Sequence, residues 1–333
     1  MKYYYVVEGD FRNNIGDVLQ GMVAQPYLPK TACAADRENL RNLPSDEPAV
    51  ILANGWYMHN FNTFPPPEIC EPIYISVHIA DSQMLKIERI RDHFRKHAPI
   101  GCRDKKTEKL FLGWGIPAYY SGCLTVTTKA PVPISKKSGE ALLVDNIDHM
   151  IPAEVKTHIE KLLGKELIRL SHNPEITTGS FDSYVENGMS QMNTLLKRYC
   201  EADVIITTKI HCALPCLGMG ANVILIHPNP SDPRLNTVRE FMEIYSFDEV
   251  IQLKELKRKP VNTSNLINRQ DFLKRIAEDS VSKGSNIIKT GSSWSFLKIR
   301  TISFIKAKFY RFVIKALLLL SPSPQIKKVY GKK

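Results

Sequence analysis

Short runs rich in Val, Ile and Leu recur along this chain, separated by stretches in which apolar residues return every three to four positions. Runs at 3–7, 49–53, 73–77 and 100–102 predict strands in the first half, and runs at 141–144, 167–170, 204–207 and 223–226 predict strands in the second. Helical periodicity predicts helices from the loop at 13–17 to about Ala24, and at 87–96, 105–112, 153–163, 183–200 and 272–280. Asp104 stands where an N-cap belongs, because its carboxylate can accept from the first free N–H groups of the helix that follows. Apolar strands without strict alternation belong to parallel sheets buried on both faces. The expected fold class is therefore α/β, with two Rossmann-like domains at 1–130 and 139–282. The Thr-, Pro- and Lys-rich stretch at 125–138, with Pro131 and Pro133, has the composition of a linker between them.

Composition changes this picture only at the C-terminus. With 333 residues, 43% apolar and 24% charged, the chain is long enough for two domains of ordinary size. Its net charge of +11 is unevenly spread: residues 283–333 hold twelve Lys or Arg and no acid, which leaves 11 − 12 = −1 for the rest. A near-neutral body does not point to nucleic acid. Within the basic tail, Arg300, Lys308, Arg311 and Lys315 fall on one side of a helical wheel, with Ile299, Ile302, Phe309, Val313 and Leu317 on the other. The longest apolar run, 316–320, is far short of the ~20 residues that span a bilayer. An amphipathic helix of this kind is expected to lie on an anionic membrane surface; packing on the body or a partner subunit is the alternative. The N-terminal segment carries no secretory pattern, and the seven cysteines form no Cys-x-x-Cys. The expected setting is cytoplasmic, peripheral to the inner face of the membrane. Cys212, Cys216 and His211 lack a fourth ligand, so no metal is expected there.

The most informative segment is 201–228. It predicts a buried strand, a sharp turn carrying Lys209 and His211, a short helix closing at Gly218 or Gly220, and a second buried strand. Parallel sheets bind ligands beyond the carboxyl ends of their strands, and a helix N-terminus there favours anions. A cation and an imidazole at that place suit a phosphorylated substrate; a solvated Lys209 and a His211 that merely caps the helix are the structural alternative.

This segment resembles the C-terminal signature of the polysaccharide pyruvyl transferase family, through Ala202, Asp203, Thr208, Lys209, Ile210, His211 and Gly218. The family usually has Arg where this chain has Lys209, which keeps the charge and loses the bidentate fork. Three further segments extend the resemblance across about the first 230 residues. They are Asn13-Asn14-Ile15-Gly16-Asp17 with Gln20, the run ILANG at 51–55 followed by Trp56, and Arg103-Asp104 through Thr107 with Gly115-Ile116-Pro117-Ala118. The second is expected to be a strand ending in a glycine-containing turn. At 121–123 this chain has Ser-Gly-Cys where many members carry an Asp, a departure that bears on acceptor contacts.

The resemblance implies two domains facing a cleft in the manner of the glycosyltransferase-B type. It also implies transfer of the enolpyruvyl carbons of phosphoenolpyruvate to two sugar hydroxyls, with no cofactor beyond this donor substrate. The acceptor would be a polysaccharide or its lipid-linked precursor. Such chemistry needs cations for the donor's phosphate and carboxylate, and an acid for its methylene carbon. Arg103, Lys209 and the helix opening near His211 are candidates for the anion site, and His211 for the acid. Asn14 and Asp17 are candidate sugar contacts, beside the reading that they only make a turn and cap a helix. Arg103 has a structural reading as an ion-pair partner of Asp104. His172 follows a strand in the second half and is a further candidate; His78, His227 and Arg234 have weaker claims. A nucleotide-sugar glycosyltransferase on a similar frame is the alternative enzyme, with Glu240 as its only candidate ribose ligand, and a non-catalytic glycan-binding member is the third reading.

Overall fold

The computed structural model describes residues 1–9, 14–135, 137–145, 149–172 and 179–289. Ten strands and nine α-helices are assigned among them. The first sheet is built from β1 (Lys2–Val7), β2 (Cys33–Asp36), β3 (Ala49–Tyr57), β4 (Cys70–Ile79), β5 (Ile100–Cys102) and β6 (Ala118–Tyr120), in the order 2-1-3-4-5-6. The second holds β7 (Ala141–Val144), β8 (Leu167–Arg169), β9 (Val204–Thr207) and β10 (Val223–Leu225), in the order 10-9-7-8. Every pairing in both is parallel. In each sheet the chain starts centrally, steps to one side, then crosses back, so the direction of winding reverses between β1 and β3 and between β7 and β9. Open parallel sheets leave a crevice at such a switch point.

Helices α1 (Ile15–Ala24), α2 (Glu88–Lys96) and α3 (Lys105–Gly113) accompany the first sheet, and α4 (Ala153–Leu163), α5 (Phe181–Glu201) and α6 (Ile210–Met219) the second. Two short helices, α7 (Asn236–Arg239) and α8 (Phe247–Gln252), precede the long α9 (Thr263–Lys289). α9 is far longer than the expected 272–280, because the expectation followed only its most periodic part. It reaches back to the first sheet, where the Ser285 hydroxyl lies 3.0 Å from that of Tyr3. The strands β2 and β6 were not foreseen; both are short edge strands without a Val, Ile or Leu.

The stretch expected as a linker begins inside the protein. Leu124, Thr125 and Val126 form a buried turn against α6, and a Cβ at Gly218 would meet the Val126 carbonyl oxygen at 2.2 Å. One apolar core accordingly runs from Val7, Val18 and Leu19 through Leu124 to Leu142, Ile205 and Leu214. The ILANG segment also departs from its expected turn. β3 continues to Tyr57, and Gly55, with φ +93°, takes up a register shift within the strand. A side chain at Gly55 would strike Gln20 Oε1 at 2.4 Å.

Among the described residues no helix is long and apolar enough to cross a membrane. The amphipathic tail segment at 294–320 lies outside the described residues.

Candidate functional site

A cavity of about 460 Å³ opens where the carboxyl ends of the two sheets meet. Asn14, Asp17, Arg103, His172, Lys209 and His211 all line it. These are the six residues the sequence put forward, and the fold draws them from four separate parts of the chain.

His211 is the second residue of α6. Lys209 is the N-cap, with extended φ −100° and ψ 128°, and no side chain caps this end, so the first N–H groups of the helix remain available to an anion. The turn is fixed from below: Lys209 N donates to Thr207 Oγ1 at 3.0 Å, and Thr207 Oγ1 donates to the Val144 carbonyl at 2.5 Å. The imidazole rests against Gly16 in the first turn of α1. A Cβ there would lie 2.9 Å from His211 Nδ1 and 3.0 Å from its Cβ. The glycine of the N-terminal motif thus makes room for a histidine almost 200 residues away in sequence.

His211 Nε2 is buried without a hydrogen-bond partner among the described residues. Burial, together with the nearby charges of Arg103 and Lys209 and against the pull of Asp17, pushes its pKa down to about 4. At that value the imidazole is neutral at physiological pH. It acts as an acid only once something supplies negative charge beside it.

Asn14 does what the structural reading of its motif required and more. It caps α1, accepting from Gly16 N at 3.2 Å, while its amide donates to Asp17 at 2.8 Å. Gln20 holds the other oxygen of Asp17 at 2.5 Å, so this carboxylate is immobilised on the cavity wall. The peptide N–H of Ile15 donates to the His172 carbonyl at 3.0 Å, which ties α1 to the second sheet. His172 is buried, with Nε2 2.5 Å from the Tyr199 hydroxyl and Nδ1 without a partner among the described residues. Burial and the charge of Lys209 hold it well below the usual imidazole range.

Arg103 follows β5, its N–H bound to the Val77 carbonyl at 2.8 Å. Asp104 is not its ion-pair partner. That carboxylate caps α3 through Thr107 N at 2.8 Å and pairs with His78 Nδ1 at 2.5 Å. Burial works against the Asp104 charge, but His78 and the cap prevail and draw its pKa to about 2. The same pairing makes His78 a satisfied strand-end residue. His227 and Arg234 line the cavity, His227 stacked edge-on to His149 at 4.6 Å and Arg234 bridged to Asp232 at 2.7 Å.

One group on the cavity was missed. Glu8, Asp17 and Glu38 surround the fully buried guanidinium of Arg37, whose Nη2 lies 2.7 Å from Glu8. His59 and Trp56 complete this wall. Arg37 carried no readable signal, since it follows the unforeseen β2; a carboxylate directly after β1 was the one available hint. Among the described residues, Glu8, Glu38 and His59 form the sole set of metal-ligand side chains with donor atoms within 4.8 Å of one another. Arg37 already supplies the positive charge those carboxylates require. Cys212 and Cys216 are buried free thiols.

Glu240 is not placed to hold a ribose in this cavity. It accepts from Tyr120 at 3.1 Å and from Arg269 at 3.1 and 3.2 Å, a bridge that fastens α9 to β6.

A family model described as polysaccharide pyruvyl transferase matches residues 14–230, well over half of the chain. Comparison with curated proteins gave no match.

Proposed function

We propose, because this chain belongs to the polysaccharide pyruvyl transferase family, that its cavity moves the pyruvyl group of phosphoenolpyruvate onto a sugar of a polysaccharide or its lipid-linked precursor. The observation that carries this reading is the convergence on one cavity of Arg103, Lys209, the N-terminal end of α6 and a His211 imidazole whose Nε2 has no partner among the described residues. Phosphoenolpyruvate brings a phosphate and a carboxylate, which match two cations and the N-terminal end of α6. Its negative charge offsets Arg103 and Lys209, the groups that with burial depress His211, so donor binding raises the imidazole pKa and loads it with a proton.

The loaded His211 protonates the methylene carbon, leaving an oxocarbenium-like centre at C2. A sugar hydroxyl attacks that centre, phosphate departs with the C–O electron pair, and a second hydroxyl closes the ketal. One hydroxyl proton replaces that given to the methyl group and the other leaves on phosphate, so atoms and charge balance. In this reading the first sheet, with Asn14 and Asp17, forms the acceptor side and the second the donor side, as in the glycosyltransferase-B arrangement. The domains run over 1–130 and 139–282. The nucleotide-sugar alternative loses its ribose ligand to the Glu240–Arg269 bridge.

The test is phosphate release from phosphoenolpyruvate in the presence of a panel of lipid-linked oligosaccharides, beside calorimetric titration with phosphoenolpyruvate and with nucleotide sugars. Phosphoenolpyruvate binding with acceptor-dependent phosphate release is the expected result. Binding of a nucleotide sugar alone would overturn the reading.

A further inference from the structure

The reaction requires a base for the attacking hydroxyl, and none of the residues given a role in it so far supplies one. Glu8 directly follows β1 and Trp56 lies near the end of β3, so the two flank the switch point of the first sheet. Glu8 is 5% exposed and lines the cavity. Arg37 binds its Oε2 at 2.7 Å, whereas Oε1 accepts no hydrogen bond among the described residues and lies 3.4 Å from His59 Nε2. The indole N–H of Trp56, whose ring stacks on His59 at 6.0 Å, is likewise buried without a partner among the described residues.

An unmatched acceptor and an unmatched donor thus share one wall of the cavity. Leaving such groups unpaired away from water is costly, and a hydroxyl, which donates and accepts at once, is the ligand group suited to such a pair. A tryptophan face beside a carboxylate also suits the apolar face and hydroxyl edge of a sugar ring. We propose that Glu8 is the base that takes the proton of the acceptor hydroxyl, with Trp56 orienting the sugar diol in the same subsite. The proposal rests on the pyruvyl-transfer reading above. As the sugar oxygen forms its bond to C2, the O–H electron pair stays on oxygen and the proton passes to the Glu8 carboxylate. Glu8 returns that proton to the departing phosphate and is free for the second hydroxyl, whose proton reloads His211.

The surroundings of Glu8 suit proton exchange near neutrality. Burial raises its pKa to about 7, with Arg37 opposing and Asp17 adding to the rise. Glu38, His59 and Tyr184 of α5 are the other titratable groups that face it.

The experiment compares Glu8→Gln with the unaltered chain in pyruvyl transfer across pH 5–9 and in calorimetric titration with phosphoenolpyruvate. Glu8→Gln is expected to lower kcat about 10²-fold and to remove the acidic limb of the kcat profile near pH 7, while donor affinity stays within twofold. Retained donor binding also reports an intact site. Trp56→Phe, which leaves the Arg37 pair untouched, is expected to raise the acceptor KM about fivefold, the weight of one neutral hydrogen bond. Transfer indifferent to Glu8→Gln, or an acidic limb that persists in it, overturns the assignment and leaves the pyruvyl-transfer reading standing. Failure of the unaltered chain to bind phosphoenolpyruvate overturns both.

Discussion

Replacing Gly16 by alanine tests whether the seat of His211 matters, without touching any chemical group. In α1 the change is favourable to the backbone: Gly16 does not occupy the left-handed region, and alanine exceeds glycine in a helix by about 0.5–1 kcal/mol. The opposing term is local. The new methyl would lie 2.9 Å from His211 Nδ1, 3.0 Å from its Cβ and 3.1 Å from Asn14 Oδ1, whereas unstrained contacts between carbon atoms sit near ~3.5–4.0 Å. Relief requires the imidazole to retreat by about 0.5–1 Å. Overpacking of this kind costs about 1–3 kcal/mol, so the net loss of stability should stay within about 2 kcal/mol. A displacement of about 1 Å at a reacting group, however, lowers turnover on the order of 10²-fold. Thermal unfolding should therefore show a folded protein, and phosphate release from phosphoenolpyruvate should fall steeply. Gly113→Ala, whose methyl meets nothing within 4 Å, is the control and should retain both. Full turnover in Gly16→Ala would refute the placement of His211 at the reacting atoms.

Further outcomes follow from the same geometry. His211 is held at about 4 by burial, Arg103 and Lys209, below its ordinary 6.5, so the empty site is unprotonated at pH 7 and donor binding should draw a proton from solution. Calorimetry in buffers of different ionisation enthalpy checks this, and heats independent of buffer would count against the acid role; His211→Asn should abolish the uptake and reduce turnover about 10²-fold. Arg103→Ala and Lys209→Ala should each raise the donor Kd about tenfold or more, because a charge-assisted hydrogen bond contributes about 1.5–3 kcal/mol. Lys209→Arg should preserve binding, and alanine variants with native affinity would place the donor elsewhere. Deletion of 294–333 should abolish co-sedimentation with anionic liposomes at low salt; binding by the full chain should weaken as salt screens the twelve basic residues of 283–333, and full-length protein that ignores such liposomes would refute the tail's role.

The elements with the strongest local signals were legible from the residues alone. The strands at 141–144 and 204–207 and the helix at 153–163 have the bounds expected of them, because burial on both faces demands uninterrupted apolar runs and a half-buried helix demands a 3.6 period. Asp104 announced its cap through the same local chemistry. Edge strands such as β2 and β6 made no such announcement, since three or four residues at a sheet margin can pair without a run of Val, Ile or Leu. Thr125 and Val126 read as linker because their Pro-rich neighbours do; only packing against α6 decided that they are buried.

The candidate site divides along the same line. Lys209 and His211 were readable because a turn between a buried strand and a helix puts them at the strand's carboxyl end, a consequence of sequence neighbours. That Arg103 is left on the wall while Asp104 turns to His78, that Gly16 receives the His211 ring, and that Glu8 and Trp56, each with one atom unmatched among the described residues, line the same cavity are pairings of residues far apart in the chain. Periodicity and capping act over a few residues and are written locally, so the sequence by itself determined the class of fold and the ends of strands where chemistry would lie. Which groups face one another, and with what charge, depends on how two separate sheets pack across a shared core, and only the tertiary structure decided it.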